Sequence, residues 1–143
     1  KDRGYKLKID TNGSFPNRLE QLIEEGLVDA IAMDIKGPLD RYPGIVRVAV
    51  DVEKIKQSVR IIKNSGLDYI FRLTVVPEIH QEKDLRAIGE WLKGASVFQL
   101  QQFFPQKTID PAYLKVKPYP PEQLLAGAEL LKPFFAEVRV EGV

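Results

Sequence analysis

The stretch "LDYIFRLTVV", residues 67–76, decides the fold. Phe71, Leu73 and Val75 alternate with Arg72 and Thr74, which is the period of two of a strand with one apolar and one polar face. A helix precedes it. Asp51 suits the N-cap, Ile55, Val59 and Ile62 form one apolar stripe through to Ser65, and Gly66 closes the turn. A second helix follows at 81–93, with Leu85, Ile88, Trp91 and Leu92 on one side.

Outward in both directions the same unit repeats. "YKLKIDT" (5–11) reads as a strand, "FPNRLEQLIEEG" (15–26) as a helix and "VDAIAMDIK" (28–36) as a strand. Pro16 suits the first turn of that helix and Gly26 its end, with Leu19, Leu22 and Ile23 on the inner face. "GPLDRYPG" (37–44) is rich in turn residues, and 40–50 reads as a loop. Beyond residue 93, "SVFQLQQFF" (96–104) reads as a strand and 105–120 as a proline-rich loop. Pro121–Lys132 reads as a helix with Leu124, Leu125, Ala128 and Leu131 inward, and "AEVRVEG" (136–142) as a last strand. Alternating strands and helices predict βαβ units, a parallel sheet and an α/β fold over one domain, residues 1–143.

Helices on both faces of a sheet demand strands that are apolar throughout. These strands alternate. Ile9 and Thr11 oppose Lys8 and Asp10. Ile31, Met33 and Ile35 oppose Ala32, Asp34 and Lys36. Phe98, Leu100 and Gln102 oppose Gln99 and Gln101. A curved sheet with helices on one face only, a full or partial (β/α) barrel, fits this pattern. Barrel chemistry sits at the carboxyl ends of the strands, where Asp10, Asp34 and Lys36 fall. Two readings of that cluster stand: structural ion pairs, such as Asp34 with Lys36 or Arg72, and a ligand site. Asn12-Gly13 also reads simply as a turn into the next helix.

The 143 residues carry 21 Lys plus Arg against 20 Asp plus Glu, so charge gives no case for nucleic acid. No apolar run approaches the roughly 20 residues of a membrane span, and the polar start "KDRGYK" is no signal peptide. The chain has no Cys and one His, so it offers no thiolate metal site, and a cytoplasmic location is the expectation. His80 reads as exposed or beside a helix cap, and Trp91 as core. "KVKPYPPEQ" (115–123) reads as a rigid loop, or as a lip that touches a partner. "KDRGYKLKI" repeats the helix–Gly–strand joins of "EEGLVDAI" and "NSGLDYIF", so the chain is expected to start in the tail of a helix whose preceding βα units lie elsewhere.

The ordered set "DTNG" (10–13), "DIK" (34–36) and "VVP" (75–77) resembles the radical S-adenosylmethionine activating enzymes of pyruvate formate-lyase and anaerobic ribonucleotide reductase. The resemblance covers nearly the whole chain. It implies part of a (β/α)6 barrel, the C-terminal portion, with the strands here being the third onward. In that family a [4Fe–4S] cluster is held by a CxxxCxxC loop, and a Gly-Gly-Glu motif meets the methionine amino group; neither motif occurs in this sequence. Carried across, Lys36 would meet the methionine carboxylate of S-adenosylmethionine. Asp10, Thr11 and Asp34 would form the oxygen-lined pocket beside it, suited to a hard cation, with Asn12 at the same strand end. Arg72 and Thr74 would line the lumen near the adenosyl group, and Gln99 and Gln101 would close the far wall. Phe103 and Phe104 stand near where pyruvate formate-lyase activases carry a Pro-Tyr-His segment.

The implied activity is reductive cleavage of S-adenosylmethionine to a 5′-deoxyadenosyl radical that takes hydrogen from a glycine of a partner glycyl radical enzyme. This chain alone, having no cluster ligand, is expected to be inactive. Two alternatives remain open. One is a different (β/α) barrel enzyme, an aldolase with Lys36 as Schiff-base residue. The other is a cluster-free binding domain. An open half-barrel exposes sheet edges, so self-association is a further expectation.

Overall fold

The computed structural model describes residues 2–143. Strand β1 (Lys8–Thr11) leads through α1 (Pro16–Glu24) to β2 (Ala30–Asp34). The short α2 (Tyr42–Val46) and the longer α3 (Val52–Lys63) lead to β3 (Asp68–Val75). Then come α4 (Glu82–Leu92), β4 (Val97–Gln102), two 3-10 turns (Pro105–Lys107 and Pro111–Lys115), α5 (Pro121–Leu131) and β5 (Glu137–Glu141). The expected helix tail at the start falls partly on Lys1, outside the described residues; residues 2–4 form a turn.

The five strands lie side by side in chain order, all parallel. A doubly wound sheet reverses its order at a switch point and puts helices on both faces. An unreversed order with crossovers of one hand puts every helix on the same face, the arrangement of a (β/α) barrel wall. The expected partial barrel is therefore what the chain builds.

The core lies between the sheet and that single helical layer. Ile31, Met33, Phe71, Leu73, Val75, Phe98 and Leu100 come from the strands; Ile55, Val59, Ile62, Ile88, Leu92, Leu124 and Leu131 come from the helices. Each such side chain, fully buried, contributes roughly 1.5–3 kcal/mol of transfer free energy. The Phe98 and Phe135 rings stack with centroids 4.8 Å apart. Asp51 caps α3 as expected, its side chain accepting from the Glu53 N–H.

Three details depart from the sequence reading. The segment 40–50, expected as loop, contains α2, which buries Tyr42 completely and ends at Arg47 with φ of 56°. Leu125, expected inward, is exposed because the inner face of α5 is set by Leu124, Ala128 and Leu131. Trp91 is only partly buried; its ring meets Tyr42 edge-on at 6.3 Å.

The turn after β1 has a packing reason. Thr11 Oγ1 accepts from the Gly13 N–H and Asn12 Oδ1 from the Ser14 N–H. Gly13 has φ of 79°, its carbonyl accepts from the buried Ser58 hydroxyl at 2.7 Å, and a Cβ there would lie 2.3 Å from Met33 Cε. Gly66 has φ of 72° but nothing within 4 Å of a built Cβ. Gly66→Ala should cost only the left-handed backbone penalty, about 1–2 kcal/mol. Gly13→Ala should add a clash with the buried Met33, for a total of about 2–5 kcal/mol. Urea unfolding of the two variants checks this; equal losses would contradict the packing account of Asn12-Gly13.

Candidate functional site

The uncovered face of the sheet carries Lys8 and Asp10 from β1, Asp34 from β2, Arg72 and Thr74 from β3, Gln99 and Gln101 from β4, and Arg139 and Glu141 from β5. Strand alternation puts these polar groups on the side away from the helices. Lys8, Arg72, Gln99, Gln101, Arg139 and Glu141 line an open trough of about 720 Å³ that also takes in Tyr69 and Ile70.

Arg72 organises this face. Its Nε donates to Asp34 Oδ1 at 3.0 Å, its second guanidinium nitrogen lies 2.9 Å from the same oxygen, and its third lies 3.3 Å from Asp10 Oδ2. Register explains the reach. Asp34 sits directly opposite Arg72, while Asp10 sits opposite Ala32, whose methyl leaves the guanidinium a path across β2. The Arg72 side chain is 17% exposed. Lys8 Nζ lies 3.7 Å from the other oxygen of Asp10. Toward β5, Thr74 donates to Gln101 Oε1 at 3.5 Å, and the amides of Gln99 and Gln101 both donate to Glu141.

Lys36 is different. It follows β2 at the carboxyl ends of the strands, its side chain is 47% exposed, and its Nζ lies 3.7 Å from Asp34 Oδ2. That is ion-pair distance but beyond a hydrogen bond. Among the described residues, no hydrogen bond to Nζ is formed. A hollow of about 200 Å³ opens beside it, lined by Asp34, Arg72, Thr74, Val76, Ile79 and His80. An ammonium with three donors and one shared carboxylate is thus the group at the strand ends equipped to take a further anion. The Lys36 side chain is half exposed, whereas a Schiff-base lysine is activated by desolvation or a neighbouring cation.

The structure brings Asp10, Asp34, Lys36 and Arg72 into one network and sets Thr74 and Gln101 next to it on the same face. It turns Thr11 to the helical side, where its hydroxyl serves the Gly13 turn, and spends the Asn12 side chain on Ser14. Between Asp10 and Asp34 the positive charge is the Arg72 guanidinium. Among the described residues no three His, Cys, Asp or Glu side chains converge on a metal position. With no Cys in the sequence, the chain's residues do not fit an iron–sulfur cluster.

Several participants were missed in the sequence. Arg139 and Glu141 could have been found from the alternation "EVRVE". Of the two readings of His80, exposed or beside a helix cap, the structure shows the second: it sits next to the N-cap of α4, and it is 4% exposed and fully hydrogen-bonded. Its neighbour Asp84 is buried too. Burial pushes that carboxyl up, but Arg41 at 2.6 Å and the Gln81 N–H outweigh it and hold it below the ordinary aspartate value. Tyr42 is pushed up to about 12, mainly by burial.

No family model matches the chain. A Methanocaldococcus jannaschii protein, provisionally named a glycyl-radical enzyme activating enzyme, is 35% identical over 129 residues, or 87% of this chain and 53% of that protein. The chain thus spans about half the length of the curated relative it matches. The crystal structure of a domain of pyruvate-formate lyase-activating enzyme from Bacteroides vulgatus superposes with a TM-score of 0.73. That match covers 99% of this chain and 84% of the domain, at 14% identity. A HpcH/HpaI aldolase from Desulfitobacterium hafniense gives a TM-score of 0.41 over 55% of its length, which carries no argument. The resemblance read from "DTNG", "DIK" and "VVP" is borne out in sequence by the first relative and in fold by the second.

The Arg72 bridge predicts a measurable coupling. Arg72→Met should cost about 1–2 kcal/mol, discounted for the partial exposure of both carboxylates. In a double-mutant cycle with Asp34→Asn, urea unfolding should give a coupling of about 1 kcal/mol. A coupling indistinguishable from zero would show that the bridge does not hold the strands together.

Proposed function

From this activase-like sequence and fold, we propose that the polar face and its strand ends form part of an S-adenosylmethionine site in a radical S-adenosylmethionine activating enzyme of glycyl radical type. The single observation that carries the reading is Lys36: a cation at the carboxyl end of β2, with no hydrogen bond to its Nζ among the described residues, beside a hollow shared with Asp34, Arg72 and Thr74. Lys36 would take the methionine carboxylate. Arg72, committed to Asp10 and Asp34, would keep Asp34 in position beside it. Thr74 and Gln101 would offer hydroxyl and amide groups to the adenosyl end.

When bound and reductively cleaved, S-adenosylmethionine supplies a hydrogen-abstracting adenosyl group. The [4Fe–4S] cluster that the family uses as electron donor would have to be held by residues outside this chain. The work left to these residues is binding, orientation and exclusion of water, the protein's usual share in cofactor chemistry. The protein substrate is proposed to be a glycyl radical enzyme, on the strength of the name of the archaeal relative. No helix among the described residues is long and apolar enough to cross a membrane.

The carboxylate is the decisive handle. Titration followed by 15N-resolved NMR should show S-adenosylmethionine binding at the strand ends. Decarboxylated S-adenosylmethionine should bind about tenfold more weakly, as an ion-paired hydrogen bond worth about 1.4 kcal/mol requires. Lys36→Met should bring the two ligands level. Equal binding of both ligands to the unaltered chain would overturn the assignment of Lys36.

A further inference from the structure

Lys36 lies just beyond the last ladder position of β2, so its backbone groups cannot be satisfied by strand pairing alone. Two buried side chains take them over. The Tyr42 hydroxyl, on a residue 1% exposed, accepts from the Lys36 N–H at 3.2 Å. The His80 Nε2 lies 2.7 Å from the Lys36 carbonyl oxygen. The other ring nitrogen, Nδ1, lies 3.0 Å from the Val76 backbone nitrogen. Val76 N–H can only donate and the Lys36 carbonyl can only accept, so the ring must be neutral with its proton on Nε2. The His80 ring thus bridges the end of β2 and the end of β3, the two strands that supply Asp34 and Arg72.

The segment that carries His80 is itself fixed. The Tyr119 hydroxyl lies 3.0 Å from the Pro77 carbonyl and 2.9 Å from the His80 carbonyl. Arg41, one residue before Tyr42, bonds both the Ile79 carbonyl and Asp84. These contacts join α2, the loop after β3 and α4 around one backbone position. Such enclosure is more than a helix start needs, since Gln81 and Asp84 already cap α4 reciprocally.

We infer that His80, as the neutral Nε2–H tautomer, and Tyr42 are positioning residues that clamp the Lys36 backbone and so aim its ammonium at the ligand carboxylate. The inference rests on the reading of Lys36 given above. A proton added at Nδ1 would set two N–H groups against each other at Val76, and the ring would have to leave Val76 or turn. Burial, the largest influence, lowers the readiness of His80 to take that proton. The groups facing the ring are Lys36 and Asp34 from the end of β2, Arg72 from β3, Arg41 and Tyr42 from α2, Asp84 from α4 and Tyr119 from the loop before α5. Tyr42 and Tyr119 are raised and Asp84 is lowered, which moves all three away from neutrality. His80 is the single histidine of the chain, so it is the side chain whose ordinary range falls in the mildly acidic window.

The sign follows from linkage. A histidine held neutral by the fold stabilises the clamped state fully above the unfolded value near 6.5, and that contribution is lost as pH falls below it toward the lower folded value. The clamp should therefore weaken below the unfolded value and give way as pH falls through the lowered folded value, and ligand affinity should fall with it.

Two substitutions separate positioning from plain structural support. His80→Asn places its amide oxygen near the Nδ1 position and can still accept from Val76, but it is too short to reach the Lys36 carbonyl. His80→Gln extends its amide toward the Nε2 position and can donate to that carbonyl. Ring 15N shifts of the unaltered chain should show a protonated Nε2 and an acceptor Nδ1. His80→Asn should move the Lys36 amide resonance and weaken S-adenosylmethionine binding about tenfold, whereas His80→Gln should stay within about twofold. As pH falls through the lowered His80 value, located by the same ring 15N shifts, the unaltered chain should lose affinity and His80→Gln should not. A charged ring or the Nδ1–H tautomer at neutral pH, or a Lys36 amide unmoved by His80→Asn, would overturn the clamp. If Lys36→Met leaves binding unchanged, the carboxylate reading fails instead, while the amide and ring shifts still decide the clamp.

Discussion

Arg72 spans two strands to hold two carboxylates, and the polar face of the sheet depends on that span. With every helix on one side, nothing covers the charges on the other, so they must satisfy one another or water. One guanidinium meets this need for Asp34 by direct register and for Asp10 across the small Ala32. Its commitment leaves Lys36 with a share of Asp34 at 3.7 Å and an ammonium turned to the open hollow. Arg72 is thus committed to the strands, while Lys36, one strand away, is the cation to which the proposed binding is assigned.

The two faces separate the remaining tasks. The helical face supplies the apolar core, and there the glycine turn after β1 is required by contact with Met33 and Ser58. Part of the "DTNG" pattern therefore belongs to packing: Thr11 and Asn12 serve their own turn, while Asp10 pairs with Arg72 on the polar face. The loops at the strand ends do something else. Tyr42 at the start of α2, His80 from the loop after β3 and Tyr119 from the loop before α5 meet at the backbone of Lys36 and of the segment that carries His80. A bond network of this kind fixes the backbone of a residue whose side chain is half exposed, which is what the proposed role of Lys36 needs.

What could be read in advance was what repeats. Strands β1 to β4 disclosed their two faces through a period of two, and the helices their inner stripes through a period of three to four, so sheet, layer and the Asp10–Asp34–Lys36–Arg72 cluster were legible. Loops have no period. The burial of His80 and Tyr42 arises from partners 44 and 6 residues away, and no local pattern announces either. α2 was hidden because Pro43 and Gly44 read as turn residues, although a proline fits the first turn of a helix. Leu125 misled because α5 is apolar on more than its buried side.

The account stands on the carboxylate of S-adenosylmethionine meeting Lys36. The most direct measurement is a crystal structure of the protein soaked with S-adenosylmethionine. The account predicts the methionine carboxylate within hydrogen-bonding distance, about 2.7–3.2 Å, of Lys36 Nζ, with the adenosyl group directed across the polar face of the sheet toward Thr74 and Gln101. A ligand seated in the apolar cavity of about 120 Å³ between α4 and α5, with Lys36 still turned toward Asp34, would contradict it.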